Sequence, residues 1–339
     1  MGFLALIAAL LLEQAQPLAR DNPVHRGVRR ASAWVARNTN AGEARHGALG
    51  WLLLVLPVCV AVLGLGWALA QVHPLAVFVL HVAVLYHTIG FRQFSHSFTE
   101  VQLALAAGDV DGARRVLEQW LRQTDPGIDT SNVPIGELCR SAAAHALLAS
   151  HRHVFGPLFW YLLLPGAVGP VLYRLAEHLS RQWDGGAASP APGVLVTGPQ
   201  VAGPPVAGPQ IAAQAAEPYG RFAQQAYRAI DWLPLRLTAA GFAVVGNFED
   251  AVYCWRGANA VPSADRQRSV LLGAGSGALG LRLADPRLEA EWAASETGFD
   301  WSGAEPDAAG LRSAVGLAWR AVILWVAVFA LLTVANWLG

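Results

Sequence analysis

The sequence predicts an all-α protein, namely a polytopic integral membrane helical bundle with a cytoplasmic helical hairpin and a disordered Gly/Pro linker. Two features of the whole chain predict this class. Of its 339 residues, 54% are hydrophobic and only 14% are charged, whereas a soluble domain is about a quarter charged. Uncharged apolar stretches long enough to cross a bilayer also recur along the chain. The net charge is zero, so no nucleic-acid partner is expected.

Six apolar stretches are predicted membrane spans. They are residues 2–19, 47–70, 74–91, 154–173, 233–249 and 315–338. Three loops on one side of this arrangement hold six arginines each, and the other side holds four in all. Because basic loops stay in the cytoplasm, this bias predicts a multi-pass protein of the inner membrane with the arginine-rich loops inside.

The cytoplasmic hairpin is predicted between the third and fourth spans. Residues 98–107 and 110–121 are amphipathic, and Gly108-Asp109 separates them. Glycine suits a helix end and aspartate suits the cap of the next helix. A third helix is expected from Ile135 to Ala149.

Residues 184–218 differ in composition from the rest of the chain. They contain VTGPQ, VAGPP and VAGPQ, repeats that cannot bury a core. We interpret this segment as a spacer, although a proline-rich ligand is the alternative. The predicted organisation is therefore 1–183 for the N-terminal membrane helices, 184–218 for the linker and 219–339 for the C-terminal helices.

Two further segments have unusual backbone chemistry. The central apolar segment contains Pro157, Pro165 and Pro170, which a membrane helix tolerates only where neighbours satisfy the freed carbonyls. We therefore expect it inside the bundle. Residues 271–286 are rich in glycine, which either lets the backbone approach a phosphate or permits tight helix packing.

Several motifs resemble those of one family. Pro157-Leu158-Phe159-Trp160, Gly169-Pro170 and Tyr173-Arg174 resemble the central segment of the CobD/CbiB adenosylcobinamide-phosphate synthases and of their AmpE-like relatives. The segment from Asp231 to Leu237, DWLPLRL, resembles a signature that both groups carry. The resemblance implies a membrane-embedded scaffold. In the synthases it also implies a reaction that joins aminopropanol, or its phosphate, to cobyric acid with nucleotide hydrolysis, at a site where acidic and amide residues hold magnesium and phosphates.

The chain departs from the synthase pattern at the polar positions. Where the family has approximately Glu-Asn-Thr-Ser-Asp before P-L-F-W, this chain has Leu148, Ala149, Ser150, His151 and Arg152. This loss of carboxylates favours an AmpE-like, non-catalytic sensor or scaffold, with no established cofactor. The alternative is an active synthase of cobalamin biosynthesis, and only that alternative implies Mg and ATP.

A residual ligand site is predicted at both ends of the central segment, formed by His151, Arg152, His153 and Glu177. The histidine spacing does not suit a metal, so we expect an anionic or corrinoid small molecule, or a membrane lipid head group. Arginine close to the hydrocarbon must be compensated. Arg152 is therefore expected to pair with Glu177, or Arg236 with Asp231, either as a structural ion pair or around a cavity that receives an anion.

Overall fold

The computed structural model is all-helical in the part of the chain that it describes. That part comprises residues 2–16, 22–41, 43–122, 130, 133–183, 218–261, 265–284, 286–293, 301 and 303–338. Within it, the one pairing of the β type is an isolated bridge between Leu281 and Ala304. The predicted all-α fold is confirmed. The predicted linker lies outside the described residues, apart from Pro218, which begins a helix.

The described residues form fourteen α-helices. They are α1 Gly2–Ala15, α2 Pro23–Thr39, α3 Ala44–Val72, α4 Pro74–Thr88, α5 Phe91–Ala106, α6 Val110–Leu121, α7 Ile135–Ser150, α8 Gly156–Leu163, α9 Val168–Gln182, α10 Pro218–Val245, α11 Phe248–Ala260, α12 Arg266–Leu279, α13 Pro286–Ala293 and α14 Ala308–Leu338. A π-helical turn, His151–Phe155, separates α7 from α8.

Two of the described helices are long and apolar enough to cross a membrane. They are α3, with 29 residues, and α14, with 31 residues, against the roughly 20 residues that a bilayer requires. Two shorter helices, α1 and α4, are also apolar. Length and composition therefore agree with a membrane protein, and the six-span arrangement remains a prediction.

The predicted central span of residues 154–173 is wrong as a single helix. α8 ends at Leu163 and α9 begins at Val168. Proline disfavours helical backbone at the residue before it, so Pro165 ends the helix. Gly166 then adopts a positive φ of 67°, which glycine accepts without steric cost. An eight-residue helix is about 12 Å long, too short to cross a bilayer.

The predicted helical hairpin has the expected local structure. The backbone N–H of Gly112 donates to Asp109 Oδ1 at 2.8 Å, so Asp109 caps α6. Gly108 ends the preceding turn with a φ of 76°. α5 and α6 contact each other, and both contact α7. The hairpin is thus present, and its cytoplasmic position remains a prediction.

The chain divides into two compact units that alternate along the sequence. The first contains the described residues between 1 and 90, 156 and 183, and 218 and 232, and the second contains those between 91 and 155 and between 233 and 339. Helix α10 contributes its first half to one unit and its second half to the other. This division differs in kind from the predicted organisation along the sequence, which remains a prediction.

The first unit has a core built from α2, α3, α9 and the start of α10. Its buried members include Val35, Val55, Leu179 and Tyr219. The Tyr219 hydroxyl is 2.7 Å from Thr39 Oγ1. The rings of Trp183, just after α9, and Tyr219, near the start of α10, are in contact with centroids 4.9 Å apart.

The second unit is built around α7, which is buried from Leu138 to Ser150 and contacts α5, α6, α12 and α14. Its glycine-rich segment is the helix α12, packed against α11. A Cβ atom at Gly277 would overlap the Asp250 carbonyl, and one at Gly273 would lie 2.7 Å from the Ala258 side chain. These glycines therefore permit tight helix packing, which was the alternative to an approach of the backbone to a phosphate.

Candidate functional site

The π-helical turn positions three of the predicted site residues. His151 is buried, whereas Arg152 and His153 are partly exposed. The Thr238 hydroxyl donates to the Pro234 carbonyl at 2.9 Å. Its single proton is thereby used, so His151 Nδ1, at 2.9 Å from Thr238 Oγ1, must be the donor in that contact. The other ring nitrogen of a neutral His151 is then an acceptor. Wide turns of this kind are frequent at functional sites.

Glu177 is a buried carboxylate between two arginines of its own helix. Arg174 and Arg181 both form ion pairs with it, the latter at 3.4 Å. The spacings of three and four residues place all three side chains on one face of α9. A buried carboxylate requires such compensation, so α9 presents a local cluster of two positive charges and one negative charge.

Asp231 belongs to a buried cluster with two tyrosines. The Tyr173 hydroxyl donates to Asp231 Oδ1 at 2.8 Å. Because that hydroxyl has one proton, Tyr227, whose hydroxyl is 3.2 Å away, must donate to Tyr173. Sequence reasoning named Tyr173 as a motif residue but did not connect it to Asp231, since 58 residues separate them.

The structure therefore groups the predicted site residues differently from the prediction. Glu177 and Asp231 lie in the first compact unit, where Asp231 contacts Tyr173. His151 and Arg152 lie in the second unit, as does Arg236, which is partly exposed. The predicted pairs Arg152–Glu177 and Arg236–Asp231 each join the two units, so both remain predictions.

A third polar cluster was not predicted. The Ser32 hydroxyl of α2 lies within hydrogen-bond distance of Gln182 Oε1 and 3.3 Å from His178 Nε2, both on α9. Burial lowers the pKa of His178, although the neighbouring Glu177 carboxylate opposes this shift. One available signal was the spacing of four residues between His178 and Gln182, which aligns them on one helix face.

His25 extends this polar region at the start of α2. Asn22 caps the helix by accepting from the His25 N–H at 2.8 Å, and its amide Nδ2 is 3.0 Å from the His25 ring. Burial lowers the pKa of His25, and the Arg174 guanidinium lowers it further. Both histidines are therefore neutral side chains at pH 7 in the folded protein.

No group of three or more His, Cys, Asp or Glu side chains that could hold a metal ion occurs among the described residues. The cysteines in that part of the chain are separate thiols. Burial raises the pKa of Cys139 to about 11, with the Asp307 carboxylate adding to the shift. Burial likewise raises the pKa of Cys254 to about 12, with a contribution from Asp250. Such thiols are protonated and unreactive at neutral pH.

The sequence of this helical protein matches a known family. The family model described as CobD/Cbib protein matches residues 3–183, which is more than half of the chain. The chain therefore belongs to the CobD/CbiB family, as its motifs predicted.

Two curated relatives extend the match beyond that range. A cobalamin biosynthesis protein CobD from Chromobacterium violaceum is 29% identical over 286 residues, covering 83% of this chain and 78% of the relative. A cobalamin biosynthesis protein CobD from Stutzerimonas stutzeri is 28% identical over 335 residues, covering 96% of each chain. No solved structure matches significantly.

The positions that match the family's acidic motif do not fit a magnesium ion. Leu148 and Ala149 are buried apolar side chains at the end of α7, and Arg152 carries a positive charge. Magnesium requires oxygen ligands, above all carboxylates and phosphates. This part of the chain therefore cannot hold the cation as the synthase pattern implies, and no chemical step is assigned to magnesium here.

Proposed function

We propose that this chain works in cobalamin biosynthesis as a membrane protein of the synthase type, joining aminopropanol, or its phosphate, to cobyric acid. The observation that carries the proposal is the similarity to two proteins named cobalamin biosynthesis protein CobD, one of them over 96% of this chain. That match covers 96% of the relative as well.

The buried polar clusters of the first unit support a proposed site for this activity. Asp231 and Tyr173 form a buried acceptor and donor pair, and Glu177 with its two arginines lies one helical turn further along α9. Carboxylates and guanidinium groups recognise the amides, ammonium groups and phosphates that such substrates carry. We assign these residues to binding and orientation of the polar substrate.

A second candidate function is a non-catalytic, AmpE-like sensor or scaffold. The specific observation that favours it is the replacement of family carboxylates by Leu148 and Arg152. A protein with this substitution pattern would keep the family scaffold and bind a ligand without joining two substrates. The resemblance to AmpE, an inner-membrane protein linked to β-lactamase regulation, supports this second candidate only by fold analogy.

Complementation separates the two candidates. A bacterial strain that lacks its own adenosylcobinamide-phosphate synthase is supplied with this gene and grown under corrinoid-dependent conditions with cobyric acid. We expect growth to be restored, and to be lost in an Asp231→Ala variant that accumulates normally in the membrane. Failure of the unaltered gene, with the protein present in the membrane at a normal level, would contradict the synthase and favour the sensor or scaffold.

We further propose a multi-pass location in the inner membrane, supported by the apolar helices α3 and α14. Reporter fusions after Gly108 and Gly203 test the number of spans. Because α8 is short and α9 is separate, the central segment is a candidate re-entrant element. Cytoplasmic signals at both positions would support that re-entrant arrangement, and signals on opposite sides would support six spans.

A further inference from the structure

Helix α2 carries a face made of arginine. Its four arginines follow the spacing i, i+3, i+4 and i+11, which places them on one side of a helix. They are Arg26, Arg29, Arg30 and Arg37, all exposed. They line a surface cavity of about 360 Å³ together with Ala33. The helix contains no aspartate or glutamate, so its own side chains give this face a positive charge.

The orientation of this face is fixed by packing on the opposite side of α2. Ser32 and Val35 are buried there, at 0% and 6% exposure. Ser32 bonds to Gln182 of α9, and the Trp183 indole donates to the Ser32 carbonyl at 3.3 Å. The helix therefore cannot rotate to bury its arginines, and their side chains stay exposed at the surface.

The same helix lies beside the polar end of a membrane-length helix. A Cβ atom at Gly50, in the second turn of α3, would lie 2.8 Å from Thr39 Oγ1 at the end of α2. α3 has 29 residues and is about 43 Å long, which exceeds the hydrocarbon thickness of about 30 Å. Its first turns therefore extend into the head-group layer, and the last turn of α2 lies beside them.

An aromatic side chain flanks the arginines. Trp34 is 61% exposed and lies at the edge of the arginine face, four residues after Arg30. Exposed tryptophan is enriched at the membrane–water interface, where its ring sits among the head groups.

We infer that the arginine face of α2 is a docking surface for anionic phospholipid head groups, selecting phosphatidylglycerol-like lipids around this protein. The charge of the face complements a phosphodiester, and each guanidinium can donate two parallel hydrogen bonds to it. This surface is separate from the Tyr173–Asp231 cluster, and the inference requires no activity in cobalamin biosynthesis. It goes beyond the proposed function by assigning the chain a lipid partner.

Spin-labelled lipids test the inference on the full-length protein. The chain is reconstituted in phosphatidylcholine vesicles that contain a trace of spin-labelled phosphatidylglycerol or spin-labelled phosphatidylcholine, and the motionally restricted fraction of each lipid is measured. We expect the unaltered protein to favour phosphatidylglycerol. The Arg29→Gln/Arg30→Gln variant should lose selectivity, by roughly fivefold for each arginine in contact with the anionic surface.

Matched variants keep the test specific. Arg115→Gln/Arg122→Gln removes the same charge from exposed positions in α6 and directly after it and should keep the selectivity. Arg29→Lys/Arg30→Lys preserves the positive charge and should therefore preserve the selectivity for phosphatidylglycerol. Inorganic phosphate should weaken the selectivity no more than sodium chloride of equal ionic strength. The inference is overturned if the unaltered protein restricts phosphatidylglycerol and phosphatidylcholine equally. It is also overturned if the Arg29→Gln/Arg30→Gln variant keeps the selectivity, or if inorganic phosphate competes specifically.

Discussion

The indole Nε1 of Trp160 donates a hydrogen bond to the backbone carbonyl oxygen of Ile230 at 3.3 Å. In a regular helix the N–H of residue 234 would donate to that carbonyl, but Pro234 has no N–H. The tryptophan of the P-L-F-W motif thus satisfies a carbonyl that the proline of the D-W-x-P motif leaves open. One hydrogen bond therefore connects two sequence signatures of the family, because the first supplies a donor that the second lacks.

Replacing Trp160 by phenylalanine removes this donor while keeping an aromatic ring. Because the Ile230 carbonyl then loses its partner, we expect a loss of stability of about 1–3 kcal/mol. Thermal unfolding of the purified protein in detergent measures it. Trp34→Phe is the control, since Trp34 is 61% exposed. A Trp160→Phe protein as stable as this control would contradict the proposed role of the indole.

Pro234→Ala supplies the missing N–H and tests the same contact from the other side. In this background the Ile230 carbonyl can accept a helical hydrogen bond, so Trp160→Phe should cost less than it does beside Pro234. A double-mutant cycle measures the difference as a coupling energy. Strict additivity of the two substitutions would show that the tryptophan and the proline act independently.

Tyr173→Phe removes the hydroxyl that donates to the buried Asp231 carboxylate. Hydrogen bonds to charged groups contribute about 1.5–3 kcal/mol, so we expect a lower unfolding temperature and weaker growth in the complementation assay. Tyr253→Phe, at a side chain that is 57% exposed, serves as the control. Asp231→Asn removes the negative charge that loses its donor in the Tyr173→Phe protein, so the double variant should recover stability. If it does not, the unpaired carboxylate is not the cause of the destabilisation.

Gly277→Ala introduces a Cβ atom that overlaps the Asp250 carbonyl between α12 and α11. The helices must separate, and overpacking of this kind costs about 1–3 kcal/mol. Gly136→Ala in α7 is the matched control because nothing lies within 4 Å of a Cβ atom there. The control should be neutral or slightly stabilising, since alanine is the better helix former. Equal unfolding temperatures for the two variants would contradict the packing role of Gly277.

His178 should make stability depend on pH. Its pKa in the folded protein lies below the ordinary value because burial disfavours the charged ring. The unfolded chain then binds the proton more tightly, so this contribution is fully present above pH about 6.5 and is lost as the pH falls toward the lowered folded pKa. Unfolding followed at pH 7.5 and pH 5 measures the loss. His178→Gln should reduce the difference, and an unchanged pH dependence would exclude His178 as a source.

The features that the sequence predicted correctly depend on neighbouring residues. Asp109 caps α6 through an N–H three positions away, and Gly108 needs only its own freedom at positive φ. The family signatures were also identifiable, because their residues are contiguous. The residues that form such caps and turns lie within one or two helical turns of each other, so these features can be predicted from a single sequence.

The features that were missed depend on distant partners or on continuity of a helix. Hydropathy treats residues 154–173 as one span because it sums transfer energies and does not register that Pro165 and Gly166 end a helix. The hydrogen bond from the Tyr173 hydroxyl to Asp231 was also not anticipated, while the pairing of Asp231 with Arg236 stays a prediction. A hydrogen bond across 58 residues depends on how α9 and α10 pack, and no spacing rule contains that information.

The contact between Trp183 and Tyr219 has a practical meaning for the chain between them. The described fold leaves α9 and enters α10 at the same aromatic pair, with ring centroids 4.9 Å apart. The two described ends that flank residues 184–217 therefore lie close together within the first unit. A domain of any size whose own termini lie close together can be spliced in there, which makes this junction the natural place to graft a fluorescent or affinity module onto the protein.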